Sequence, residues 1–411
     1  MHISYRITSA VLATLVLTLR PASTLHAQNW TATTAPNANW AAVASSANGN
    51  KLVTVINGGP IYLSADGGGT WSQASAPATN WTCVASSADG SKLVAGLNSG
   101  MYPTPVYVST NSGASWQASV TSGFSFVSSL ACSSDGYTWF AADRGNVYTS
   151  TDAGANWTVI PYMHSSGFEG FSHLACTADG SKFVGSAQSL ISIGDQLCFG
   201  PALASLGYLH GGSCPALACS ADGSAVVALY VSNQVFHSTN TGIVTTTNFD
   251  GTSINTTSLA TNWTSVACSA DGTQMVALAQ GAAIYRSTDS SATWIADSVP
   301  DGLWSSVASS ADGGKLVAAV SGGGIYTRQS IVPPVLALTP QSNFSVLSWP
   351  ITSSRFALQY SPDMSSTNWS SLYGLTAPNY QTLRNEFPIY TRSGGGFPTP
   401  DGGYFYRLMS Y

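Results

Sequence analysis

The sequence predicts an all-β chain, a seven-bladed β-propeller with a small C-terminal β-sandwich, on three observations. A phrase of the form W-x-x-V-A-S-S-A-D-G-x-K-L-V-A recurs, its Asp-Gly or Asn-Gly pair falling at Asn48, Asp89, Asp135, Asp179, Asp222, Asp271 and Asp312. The intervals are 41, 46, 44, 43, 49 and 41 residues, the length of one four-stranded blade. A second motif is phased with the first, and the repeat stops near Ile331, where alternating apolar runs of different spacing begin.

Within one repeat the strands follow from the turn chemistry. Trp40 to Ala44 reads as a first strand, and Asn48-Gly49 as a tight turn into Lys51–Val55, because such turns need positive φ at their centre. A Gly-rich loop then leads to Ile61–Ser64, and a fourth strand starts near Trp71. Between the third and fourth strands lies Ser64-Ala65-Asp66-Gly67-Gly68-Gly69-Thr70-Trp71, with variants at Ser109 to Trp116 (Asn111 in the Asp place), Ser150 to Trp157 (Asp152) and Ser287 to Trp294 (Asp289). In such a turn the carboxylate accepts N–H groups of its own loop, Gly supplies positive φ and Trp packs beneath. Asp195 and Asn240 mark degraded copies in the fourth and fifth repeats.

Ring closure is legible at the two ends of the repeat array. The seventh repeat runs through Gly324-Ile325-Tyr326-Thr327 and lacks its second motif, while Asn29-Trp30-Thr31 matches Asn156-Trp157-Thr158, which follows one. Residues 28–35 are therefore expected to supply the outer strand of the last blade, so that no sheet edge is left open.

These motifs resemble the Asp box, or BNR repeat, of sialidases, sortilin-type receptors, xyloglucan hydrolases and the photosystem II assembly factor propellers. The resemblance implies a propeller whose boxes are structural, with any active site on the opposite face, among the loops joining second to third strands and blade to blade.

The termini carry separate signals. Arg6, the apolar stretch Ile7 to Leu19, and small residues leading to Ala27 have the layout of a secretory signal peptide at 1–27. Thirteen apolar residues fall short of the roughly 20 that span a bilayer, so no transmembrane span is expected after processing, and the chain is expected to be secreted, at the cell surface or periplasmic. The propeller should occupy 28–330, a Pro linker 331–334 and a β module 335–411. Leu347-Ser348-Trp349-Pro350, Phe356 to Ser361, Asn368-Trp369 and Phe405 to Leu408 together resemble a fibronectin-like sandwich, which implies a spacer or adhesion role.

Composition narrows the partners. Of 411 residues only 8% are charged, with 13 Lys and Arg against 18 Asp and Glu, so there is no basic face for nucleic acid and little electrostatic steering. Ser, Thr, Asn and Gly suit hydrogen bonding to a neutral polymer. Cys132, Cys176, Cys219 and Cys268 each stand three residues before an Asp-Gly pair, where other repeats have Ser45, Ser86 and Ser309; separated by a whole repeat, they read as small core side chains. Cys198 and Cys214 bracket an irregular stretch and form a possible disulfide. No Cys/His spacing suggests zinc, and neither a metal nor a cofactor is expected.

No catalytic residue is assigned. A sialidase needs three arginines and a Tyr–Glu pair, whereas the repeats hold only Arg144, Arg286 and Arg328, and the chain has only Glu169 and Glu386. Xyloglucan hydrolases act across two propellers, and one is present here. The loop face is expected to carry Tyr102, Asp143, Arg144, the stretch Tyr162 to His173, Asp250, Asp297 and Asp301. Within it Asp143, Arg144, Tyr162, His164, Phe168 and Glu169 place an acid, a base, a cation and aromatics together, and form the candidate ligand site. The function expected is a non-catalytic, monomeric scaffold for a glycan or protein partner. The alternatives are a glycoside hydrolase using loop-face carboxylates such as Asp143 and Glu169, which would need to lie about 5–10 Å apart, and an assembly factor for a membrane complex.

Overall fold

The computed structural model describes residues 30–100, 102–119, 123–143, 146–160, 171–186, 214–229, 262–281, 283–300 and 302–329 with their side chains, and the backbone of strands at 5–7, 168–170, 187–189, 195–200, 204–208, 234–238, 252–255 and between 337 and 410. Arg144, Tyr162, His164, Asp250 and Asp301 lie outside the described residues, as do the side chains of Phe168, Glu169 and Cys198. The described chain is all-β.

Each repeat folds into an antiparallel sheet of four strands in sequence order. The first comprises Ala38–Ser45, Leu52–Gly59, Ile61–Ser64 and Ser72–Gln73. The third comprises Ser129–Cys132, Trp139–Ala142, Val147–Ser150 and Thr158–Val159. The fourth and fifth repeats keep the pattern in their backbone, from Phe168–Cys176 to Ala204–Tyr208 and from Ala216–Cys219 to Thr252–Asn255. In the seventh, Trp304–Ser309, Lys315–Gly323 and Ile325–Gln329 are joined on their outer edge by Thr31–Ala32, with Thr31 opposite Thr327. Beyond the repeats, Ala337–Pro340, Phe344–Pro350, Arg384–Tyr390 and Ala377–Asn379 make one sheet. Phe356–Ser361, Ser370–Ser371 and Tyr404–Ser410 make another, which Tyr5–Ile7 joins at Tyr404 to Tyr406.

The sheets meet face to face, and the core lies between them. The Trp that opens the repeat phrase is buried on the first strand and meets the Tyr of the third edge-on: Trp40 with Tyr62, Trp81 with Tyr107, Trp263 with Tyr285 and Trp304 with Tyr326, at centroid distances of 5.3–5.6 Å. Trp40 also packs on Val317, Ala319 and Ile325 of the seventh sheet, so one residue type serves its own sheet and the interface with a neighbour.

At one end of the first strands the repeats are stitched into a closed cycle. The N–H of Ala47 donates to Ala88 O, Ala88 to Ser134, Ser134 to Ala178, Ala178 to Ala221, Ala221 to Ala270, Ala270 to Ala311 and Ala311 back to Ala47, with N···O distances of 2.6–2.9 Å. These are the residues just before the Asp or Asn of each turn. The preceding hydroxyl (Ser46, Ser87, Ser133, Thr177, Ser220, Ser269 and Ser310) donates to that Asp or Asn at 2.5–2.9 Å. The conserved spelling of the turn within this chain thus has two physical roles: one closes the turn, the other closes the ring.

Candidate functional site

The turns between first and second strands and between third and fourth strands share one face, and the chemistry there is spent internally. In the box at Asp66, Ser64 Oγ donates to Asp66 Oδ1 at 2.8 Å, Gly68 N donates to Ser64 Oγ at 2.9 Å, Thr70 N reaches Asp66 Oδ1 at 2.9 Å and Thr70 Oγ1 reaches Oδ2 at 2.8 Å. Gly68 has φ +95°, and a Cβ there would sit 2.8 Å from Thr327 Cγ2 of the seventh sheet, so the turn docks against a neighbouring sheet where only Gly fits. Asp152 and Asp289 are bonded alike, and Asn111 keeps the pattern by donating its Nδ2 to Ser115 Oγ. Trp157 Nε1 donates to Gly154 O at 2.9 Å, whereas the buried Nε1 atoms of Trp71, Trp116 and Trp294 have no protein partner among the described residues.

These bonds set an acid dependence. The N–H and hydroxyl of Thr70 hold the Asp66 carboxyl down, from 3.8 to about 2, and Asp152 and Asp289 are lowered for the same reason by Asn156 and Thr293. A depressed carboxylate stabilises the fold fully above its unfolded value and stops doing so as pH falls through its folded one. Asp66→Ala should therefore cost about 0.5–1.5 kcal/mol at neutral pH, since its turn is exposed to solvent, a difference that disappears between about pH 4 and pH 2. Asp66→Asn should melt close to the parent at neutral pH, as Asn111 fills the same place. Thermal melts of the three proteins across that range check both statements.

The lysines after each turn interlock the repeats. The Lys51 stem lies under Gly90 and its Nζ donates to Ser112 Oγ at 3.1 Å; Lys92 lies under Gly136 and donates to Asp135 O at 2.8 Å; Lys315 lies under Gly49 and donates to Asn50 Oδ1 at 2.6 Å. Their stems cover apolar surface while their heads bridge to the next repeat.

The opposite face carries a rigid shelf. Asp143, 3% exposed, accepts Asn146 N on Oδ1 at 2.8 Å, and Ser125 N, Ser125 Oγ and Tyr148 OH on Oδ2 at 3.3–3.4 Å. Thr104 N donates to Phe124 O at 2.8 Å and Thr104 Oγ1 to Ser125 O at 2.9 Å, while Phe124 is fully buried against Tyr148 and Trp157. Three segments of the second and third repeats are thereby fixed to one another. Burial, with Asp143 and Tyr102 nearby, pushes the Tyr148 hydroxyl up to about 12, so it is a donor and not a base. On this shelf stands Tyr102, 75% exposed, with its hydroxyl against Gly123.

Of the candidate ligand residues, Asp143 is on the loop face but its carboxylate lies in the floor, engaged by three neighbours. Phe168 and Glu169 begin the first strand of the fourth sheet, Phe168 opposite Ser189. His173, five residues into that strand, is half-buried with its Nδ1 enclosed; burial lowers its pKa to about 4 against the pull of a hydrogen bond donated to the Cys214 main-chain carbonyl, which leaves it neutral and with no charge to offer a ligand. Cys214 is buried with Sγ 3.4 Å from Ala216 O.

Asp297, expected among loop-face candidates, is a structural hub instead. Arg286 binds it in bidentate fashion, Nε to Oδ2 at 2.6 Å and Nη2 to Oδ1 at 2.7 Å; Trp30 Nε1 donates to Oδ2 at 2.8 Å; Arg328 Nε lies 3.6 Å away. Sixth sheet, seventh sheet and N-terminal segment meet on one carboxylate. Sequence reading did not join these residues because they stand up to 298 positions apart, from Trp30 to Arg328, and only the closed ring brings them together.

A central cavity of about 290 Å³ runs along the first strands, lined by Val, Ala, Leu, Ser and Cys from every repeat. Cys132, Cys176, Cys219 and Cys268 all line it, half-buried. The expected separation by a whole repeat does not hold here, because the first strands converge on the axis. Cys132 Sγ lies 3.1 Å from Ser86 O, Cys219 Sγ 3.3 Å from Cys176 O, and Cys268 Sγ 3.1 Å from Cys219 O. Among the described residues no group of three or more His, Cys, Asp or Glu is placed to hold a metal ion.

No protein-family model matches the chain, and no curated protein does. Among solved structures it is similar to YCF48 bound to a D1 peptide, with a TM-score of 0.56 and 12% identity over 76% of this chain and 99% of that one. It is likewise similar to YCF48 from Cyanidioschyzon merolae, with a TM-score of 0.56 and 14% identity over 73% of this chain and 99% of that one. At such identity the likeness carries the fold alone: this chain is a β-propeller.

Proposed function

We propose that the chain is an exported, seven-bladed Asp-box propeller with a fibronectin-like C-terminal module, and that it acts as a non-catalytic scaffold binding a protein partner, through an extended segment, on the loop face around Tyr102. The observation that carries this reading is the shelf: an aromatic ring held out to solvent on a base of buried hydrogen bonds. Such a ring contributes contact area at low entropic cost, which suits an interface anchor. Arg144, Tyr162, His164, Phe168 and Glu169 are proposed to contribute to the same surface, with Asp143 as a positioning residue.

Two further observations support it. Every aspartate whose side chain is described accepts hydrogen bonds from its own turn or from the latch at Asp297, which disfavours the glycosidase alternative for those carboxylates. The similar fold of YCF48 has been solved with a D1 peptide bound, so a propeller of this shape accommodates a peptide; the assembly-factor reading is a special case of the same role.

The test is a displayed random-peptide library run beside a neutral glycan array and a reducing-sugar release assay. Enriched peptides that bind the parent and lose about tenfold or more in affinity on Tyr102→Ala, at unchanged melting temperature, are the expected result; that loss corresponds to about 1.4 kcal/mol, typical of an anchor. Sugar release, or glycan binding indifferent to Tyr102, would overturn it.

A further inference from the structure

The cysteines of the third to sixth repeats occupy one register position, while the first, second and seventh repeats have Ser there. They belong to consecutive repeats, they line one cavity, and each described sulfur contact is with the main chain of the repeat before it. The tightest contact between two cysteine-bearing repeats is that of Cys268 Sγ with Cys219 O, at 3.1 Å.

We infer that Cys219 and Cys268 are a disulfide-forming pair that crosslinks the fifth and sixth repeats across the wall of the central channel. Both side chains are half-exposed to the cavity, whose volume of about 290 Å³ leaves room for Cys219 to change rotamer towards its neighbour. In the reaction the two thiols lose two protons and two electrons to a disulfide oxidant, which is reduced to two thiols, and one S–S bond forms between repeats. The product is neutral in a channel whose lining is uncharged.

The place of this crosslink has a physical rationale. Asp-box turns dock one sheet on another in the first, second, third and sixth repeats, and the seventh is held by Asp297. The fifth repeat has a degraded box at Asn240 and ends in the longest interval, 49 residues between Asp222 and Asp271. A covalent tie there restrains the unfolded chain over a long loop. Burial raises the thiol pKa of both cysteines, so exchange is slow in the closed ring and is favoured by mildly alkaline conditions.

The experiment uses the full chain, purified reduced, incubated with oxidised glutathione at mildly alkaline pH, alkylated and mapped as peptides without reduction. The expected result is a Cys219–Cys268 crosslink that persists in C132S/C176S and disappears in C268S, with a melting temperature several degrees above that of the reduced protein in the parent and in C132S/C176S, and no such rise in C268S. Ser occupies this register position in three other repeats, so these variants keep the fold. Complete alkylation of both thiols after oxidation, glutathione adducts without a crosslink, or a bond from Cys219 to Cys176 would each overturn the pair. None of these readouts involves a ligand, so the outcome is independent of the binding role.

Discussion

Asp297→Ala should be among the most damaging single substitutions in the repeats, costing about 3–5 kcal/mol. Its side chain is 8% exposed and carries a bidentate Arg286 contact, the Trp30 indole N–H and the approach of Arg328. Removing the carboxylate leaves two guanidinium groups facing each other in a region of low dielectric, and the lost partner outweighs the modest value of an exposed ion pair, about 0–1 kcal/mol. Asp297→Asn should fall between the two, since it can accept from Trp30 but cannot balance charge. Chemical denaturation at low and high salt measures this; a cost below about 1 kcal/mol for Asp297→Ala would show that the hub is only a surface pair.

Trp30→Ala should cost a similar amount, about 3–5 kcal/mol, and deletion of residues 28–35 more. Trp30 is 7% exposed and packs with Ile284, Trp304 and Leu316 in the interface of the sixth and seventh sheets. The deletion also removes Thr31–Ala32 from the edge of Ile325–Gln329, exposing N–H and C=O groups that promote edge-to-edge association. Lower melting temperature with aggregation is expected for the deletion. A parent-like melt would mean that the outer strand adds nothing.

Much of the fold was legible because its signals are local. The Asp-Gly turns, the alternation of the flanking strands and the boxes at Asp66, Asn111, Asp152 and Asp289 are each set by a few neighbouring residues, and the match of Trp30 to Trp157 extended that local logic to a pairing between chain ends. The candidate site was less legible because its geometry is not local. Asp143 looked like a free acid in a loop, and its burial depends on Ser125 and Tyr148 arriving from other segments. Asp297 and Arg286 stood on neighbouring strands with nothing in sequence to signal Trp30. The four channel cysteines carried a signal that was available, identical register in consecutive repeats, but its meaning depends on strands converging at an axis.

The central claim is that seven repeats form one ring whose last link, Ala311 to Ala47, is made without a covalent bond. Amide hydrogen exchange on the full chain tests it most directly. The account predicts that Ala47, Ala88, Ser134, Ala178, Ala221, Ala270 and Ala311 exchange slowly and at comparable rates, as members of one cooperative unit, and that deleting residues 28–35 speeds Ala311 first. Fast exchange at Ala311 in the intact protein, with the other six protected, would contradict it: the repeats would then form an open arc, with the seventh sheet free of the first.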